Sequence, residues 1–170
     1  TRVDRLILVK IRLPRALLGL SVGGSLGLAG AALQGLMRNP LVEPGLIGVL
    51  GGASLGAVMA FYGGAALVSP AAVPAAGFAG ALVATALLAA VAARGVRVAV
   101  LVLFGVALGS LTGALTALAL NLAPSPFAIL EIVFWLMGSR ADRSRADVAL
   151  ALQPMAVCWA LLLTAGRGME

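Results

Sequence analysis

A polytopic bundle of membrane-spanning α-helices is the fold class this sequence predicts, on three observations. Hydrophobic residues make up 62% of the 170. Charged residues make up 11%, against about 25% in soluble globular domains. A soluble core of this size cannot hide that much apolar surface, so lipid must be the solvent for much of it. The charges also stand between long uncharged runs that are apolar on every face. Barrel strands would instead alternate apolar and polar residues over about ten positions.

A spanning helix needs roughly 20 predominantly apolar residues. Residues 16–37, between Arg15 and Arg38, form the first such run. Residues 44–93 carry no charge but are too long for one helix. Gly63-Gly64, Pro70 and Pro74 interrupt them, which predicts one helix over 46–62 and another over 75–93. Pro124 and Pro126 cut the next run into a helix over 98–122 and a shorter one over 127–137, too small to cross. Residues 148–166 are the last run, and Pro154 predicts a kink there. The sum is about five transmembrane helices and one short helix in a single transmembrane domain over residues 1–170.

Glycine spacing predicts how the helices pack. Gly19, Gly23 and Gly27 recur every four residues, continued by Ala31 and Gly35; Gly48, Gly52 and Gly56 do the same, as do Gly105, Gly109 and Gly113. Residues four apart share a helix face, and a glycine face lets another helix approach closely where lipid supplies little hydrophobic drive. The few polar residues within the spans are Ser21, Ser25, Gln34, Ser54, Thr85, Ser110, Thr112, Thr116 and Asn121. They read as hydrogen-bonding to backbone or neighbouring helices rather than as a polar path. Glu131, on the short helix, reads as facing water at the membrane interface.

Several function classes drop out. There is no histidine and one cysteine, Cys158, inside an apolar stretch. An intrachain disulfide is impossible, Cys/His metal sites and histidine-based triads are excluded, and no cofactor is expected. The net charge is +6, but the cations sit at the ends of apolar runs without a basic face or aromatic platform, so nucleic acid is not the partner. The chain begins with Thr1 and reads as a piece of a longer polypeptide.

Three loops carry composition of their own. Arg12-Leu-Pro-Arg15 places Pro14 just ahead of the first span, a position that tolerates its missing N–H, with both arginines at the membrane surface. Residues 38–44, Arg-Asn-Pro-Leu-Val-Glu-Pro, are a non-helical turn. Residues 138–147 carry Arg140, Arg143 and Arg145 with Asp142 and Asp147 and read as a solvated loop.

On these loops the sequence closely resembles the FecCD-type permeases. The carriers, in order, are Arg12-Leu-Pro-Arg15, Gly30 with Gln34, Arg38-Asn-Pro-Leu-Val-Glu-Pro44, Gly45-Leu-Ile-Gly48, Gly52-Ala53, Gly105-Val-Ala-Leu-Gly109 and Trp135-Leu-Met-Gly138. These permeases are the membrane subunits of ABC importers for iron–siderophore complexes, haem and cobalamin, in the bacterial cytoplasmic (inner) membrane. The resemblance implies a second permease subunit, a pair of cytoplasmic ATP-binding subunits and an extracytoplasmic substrate-binding protein as partners. It implies no covalent chemistry in the permease itself, so the chain is not an enzyme. Arg12 and Arg15 match the basic residues that dock the binding protein. Asn39, Pro40 and Leu41 match the cytoplasmic gate loop, and the loop at Arg97 and Val98 takes the place of a second gate element.

The resemblance covers spans two to six of a ten-span fold, so this segment alone is expected to be unable to carry out ATP-driven transport. It also places Arg12, Arg15 and the 138–147 loop outside, which gives that side eight Lys/Arg against Arg38, Arg94, Arg97 and Arg167 on the other. The positive-inside rule taken over the whole segment gives the opposite topology. Siderophore–iron is the expected cargo. The rivals are a permease for another cargo such as cobalamin, haem or bare metal ions, and a membrane assembly subunit with no transport role. A membrane enzyme is weaker than either.

Overall fold

The structure is a computed structural model and describes residues 2–69, 71–123, 125–138 and 145–166. Every regular element among them is helical. These residues divide into two compact units. Unit one comprises residues up to Leu36 together with those from Ser139 onward, and unit two is Met37–Gly138. Three helical stretches are long and apolar enough to cross a membrane: Arg5–Met37, Ala72–Ala92 and Val98–Asn121. Most of the expected 138–147 loop lies outside the described residues, as do Pro70 and Pro124.

In unit one, helix α1 (Arg2–Ile7) runs through a π-helical turn (Leu8–Arg12) into α2 (Leu13–Met37). The sequence places Pro14 ahead of the first span, and the structure corrects this: the helix begins twelve residues earlier. Proline lacks an N–H and its ring crowds the carbonyl four residues back. The preceding turn widens instead, the Leu13 N–H donating to the Leu8 carbonyl. Such π-bulges insert into α-helices without ending them.

Pro14, Leu18 and Ser21 are buried, and Ser25 Oγ accepts a 3.0 Å hydrogen bond from Trp159 Nε1 of α8 (Arg145–Gly166). At about 100° per residue these four positions share one side of α2. Gly23 lies about 180° round from Pro14, and a methyl group added at Gly23 or Gly27 would meet nothing within 4 Å. Gly23 and Gly27 of the expected packing ladder Gly19, Gly23, Gly27 therefore meet no partner among the described residues. Gly24, by contrast, lies beneath the Trp159 ring, 3.9 Å from where a methyl group would stand. Pro154 lies within α8, which continues through it.

Unit two is built on α3 (Val49–Tyr62), α5 (Ala72–Ala92) and α6 (Val98–Asn121), with the single-turn α4 (Ala65–Val68) between α3 and α5 and the short α7 (Pro126–Leu136) after α6. Helix α5 starts earlier than the sequence predicts because Pro74 falls in its first turn, where no N–H is required. Helix α7 matches its predicted place: Ser125 Oγ accepts the Ala128 N–H at 3.2 Å and Pro126 opens the helix.

Helix α3 begins three residues later than predicted. Its 14 residues span about 21 Å at 1.5 Å per residue, less than the roughly 30 Å hydrocarbon core. A turn over residues 44–48 takes the place of the missing length.

The small-residue faces meet in this unit. A methyl group on Gly52 would stand 2.7 Å from the Gly80 carbonyl oxygen and 2.8 Å from Ala84 Cβ, and one on Gly56 would stand 3.3 Å from Gly80 Cα. One on Gly48 would stand 2.8 Å from both the Gly105 carbonyl oxygen and the Gly109 nitrogen. Helix α3 is therefore antiparallel to α5 and parallel to α6, with backbone against backbone on both sides. Gly113, by contrast, faces open space.

Candidate functional site

The turn that joins α2 to α3 is built residue by residue. Arg38 follows the last residue of α2 with φ +48°, the only non-glycine residue with positive φ among the described residues. Left-handed backbone costs an L-residue roughly 1–2 kcal/mol. Local hydrogen bonds hold it there: Asn39 Oδ1 accepts the Leu41 N–H at 3.0 Å, and the Val42 N–H reaches the Asn39 carbonyl at 3.4 Å. The Leu46 N–H then donates to the Glu43 carbonyl at 3.1 Å.

Val42 and Ile47 anchor the turn, at 2% and 7% exposure. Ile47 lies where a side chain on Gly105 would stand, 2.8 Å from its Cα. Gly48 turns the chain into α3 with φ +74°, a conformation glycine adopts without cost.

Between these anchors Leu41 projects, 80% exposed, with Pro40 exposed beside it. The arrangement is an apolar side chain held out on a pinned turn. Replacing Arg38 with glycine is expected to raise thermal stability by about 1 kcal/mol, because glycine relieves the left-handed strain while the turn's hydrogen bonds persist.

Arg12 and Arg15 lie at the π-turn and the start of α2, not on a loop, and both are exposed. Three residues apart on a helix they are surface neighbours. The helical mounting fixes the spacing of their backbone positions on one exposed face.

Four of the nine polar residues noted within the spans hydrogen-bond to their own helices. Ser21 donates to Leu17 O at 2.6 Å, Thr85 to Ala81 O at 2.8 Å, Thr112 to Leu108 O at 2.9 Å, and Asn121 Nδ2 to Ala117 O at 2.9 Å. Thr112 also packs on Gly51. Thr116 Oγ1 differs, being buried without a hydrogen-bond partner among the described residues. Glu131 is exposed on α7. The sequence reading missed Gly51, Gly77 and Gly80 as packing positions. The signal was there in Ala76, Gly80 and Ala84, small residues four apart, once alanine counts with glycine.

The polarity of the unit follows from its contacts. With α3 parallel to α6 and antiparallel to α5, the 38–48 turn and the α5–α6 loop with Arg94 and Arg97 belong to one end. The turns after α3 and α6 belong to the other.

The sequence profile of the FecCD transport family matches residues 1–170. This chain belongs to that family. Among its relatives, the cobalamin import system permease protein BtuC of Halobacterium salinarum is 40% identical over 174 residues, covering 98% of this chain and 44% of the relative. The ferric enterobactin transport system permease protein FepD of Escherichia coli is 39% identical, covering 98% and 50%. The molybdate import system permease protein MolB of Haemophilus influenzae is 33% identical, covering 95% and 48%.

A solved metal-chelate type ABC transporter in an inward-facing conformation matches the fold with a TM-score of 0.85 at 32% identity, over 96% of this chain and 52% of that one. The FecCD chain described here spans about half the length of the curated relatives it matches. The all-helical membrane fold expected from the sequence is thereby shown.

Proposed function

We propose that this FecCD segment forms part of the membrane permease of a binding-protein-dependent ABC importer and acts as one transmembrane domain in the bacterial inner membrane. A second permease subunit completes the pathway, an extracytoplasmic binding protein delivers the cargo, and paired cytoplasmic ATPases drive it. What carries this reading is the pinned 38–48 turn with Leu41 projecting, in a chain that matches the family along its whole length.

Charge supports the orientation. In unit two the end with Arg38, Arg94 and Arg97 holds its cations, and Glu43 is the one acid there. The opposite end carries only Glu131 among the described residues. The positive-inside rule applied to this unit puts the Arg38 end in the cytoplasm, as the family resemblance does. The outward excess counted over the whole segment comes from the Arg2–Arg15 stretch and the 138–147 loop, cations available to an acidic partner.

A metal chelate or similarly bulky cofactor is the proposed cargo class, with siderophore–iron first. Cobalamin is the second reading, favoured by the 40% identity to a cobalamin permease. Proteoliposomes holding the intact permease with its ATPases and binding protein decide between them. ATP-dependent uptake of a ferric siderophore, and not of cobalamin or molybdate, is the expected result. Uptake of cobalamin alone would replace the cargo, and no ATP-dependent uptake of any chelate would overturn the importer reading.

A further inference from the structure

A small cleft of about 90 Å³ opens where the C-terminal end of α3 meets α7, lined by Phe61, Tyr62, Ala128, Glu131 and Ile132. Its floor is fixed. Ile132 is 2% exposed, and Phe61 meets Trp135 edge-on with ring centroids 6.1 Å apart at 72°. Both rings pack on the buried cluster of Ala57, Ala60 and Val73. Its rim is polar, with the Tyr62 hydroxyl and the Glu131 carboxylate. Neither group makes a hydrogen bond or ion pair with any described residue.

Three features say what this cleft suits. Glu131 is the only charged residue between Arg97 and Arg140, and no described cation pairs with it. An acid in or at the bilayer ordinarily pairs with a cation, and Glu131 has none among the described residues. Aromatic rings attract cations electrostatically, and Phe61 and Tyr62 supply two. Tyr62 and Trp135 lie at one end of unit two, and such amphipathic rings concentrate at the level of lipid headgroups.

We propose that this cleft binds a primary ammonium group, supplied by an aminophospholipid headgroup. Glu131 accepts the ammonium N–H bonds, the rings flank the cation, and the Tyr62 hydroxyl donates to the headgroup phosphate. Proton and charge balance are unchanged, since ammonium and carboxylate meet already ionised. The site goes beyond the importer reading and needs only that α7 lies at a membrane surface. Its readout is lipid retention rather than transport, so it can fail while the importer reading stands.

The test places the intact protein in phosphatidylcholine nanodiscs doped with phosphatidylethanolamine and measures retained lipid by native mass spectrometry. Phosphatidylethanolamine should be retained about tenfold over phosphatidylcholine, whose trimethylated nitrogen offers no N–H, in line with one charge-assisted hydrogen bond. Glu131→Gln should abolish that preference, Tyr62→Phe should reduce it, and Glu43→Gln at the opposite end should leave it intact. Glu131→Asp, which keeps the charge but shortens its reach, serves if the glutamine variant fails to fold, and should lower the preference.

A second arm adds soluble ethanolamine to discs of phosphatidylcholine alone. Binding there that depends on Glu131 would keep the ammonium site but make a free amine its source. Equal retention of the two lipids by the unaltered protein, with no Glu131-dependent ethanolamine binding, would overturn the proposal. So would unchanged preference in Glu131→Gln.

Discussion

Gly52→Leu is expected to destabilise unit two by about 3 kcal/mol, while Gly23→Leu leaves stability within about 0.5 kcal/mol. The difference lies in what each added side chain meets. At Gly52 the first carbon alone comes within 2.7 Å of a backbone oxygen and 2.8 Å of a β-carbon, both on the rigid helix α5. Neither can move aside without shifting the helix, and α3 is pressed from its other side by α6 through Gly48 and Thr112. At Gly23 the same carbon meets nothing within 4 Å. Thermal unfolding of the two variants in detergent checks this directly. Equal losses would mean that the α3–α5 contact does not hold the unit together. Similar losses at Gly23 alone would place the packing face of α2 where the glycine spacing, and not the structure, puts it.

Reversing Arg12 and Arg15 together to glutamate is expected to weaken binding-protein association by at least about 100-fold. Each charge-assisted arginine–carboxylate contact contributes about 1.5–3 kcal/mol, and two lost contacts multiply their effects. Both side chains are exposed on a helix whose buried side runs through Pro14, Leu18 and Ser21, so folding should be unaffected. Association measured by surface plasmon resonance, with far-ultraviolet circular dichroism as the folding control, separates docking from structure. Rescue by exchanging the acidic partners on the binding protein for arginine would assign the contact. Undiminished association in the double variant would remove these residues from the docking face.

Much of this arrangement is legible in the sequence, and where it is not the reasons are physical. Uncharged runs mark the helices because lipid tolerates few charges, and Ser125 with Pro126 marks the start of α7 by ordinary capping chemistry. Three features escape such reading. Pro14 signals a helix start by local rule, but a π-turn accommodates it inside a longer helix, and nothing in residues 8–12 announces the extra residue. Glycine spacing shows which helices can approach closely, not which do: Gly48, Gly52 and Gly56 find Gly80, Gly105 and Gly109, while Gly23, Gly27 and Gly113 find no partner among the described residues. The exact start of α3 depends on Gly48 adopting a left-handed conformation against α6, a tertiary effect. At the candidate site, the 38–44 turn was readable from its two prolines and asparagine, but the projection of Leu41 between buried Val42 and Ile47 was not.

The most direct test of the account is cysteine accessibility across the membrane. In a Cys158→Ala background, which removes the exposed native thiol, single cysteines replace Arg12 in one variant and Arg38 in another. An impermeant maleimide is applied to intact cells and then to permeabilised ones. The account predicts that position 12 labels from outside and that position 38 labels only after permeabilisation. That result puts Arg12 and the Leu41 turn on opposite sides of the membrane, at the two ends of α2. Labelling of position 38 in intact cells would contradict both the topology and the gate assignment built on it.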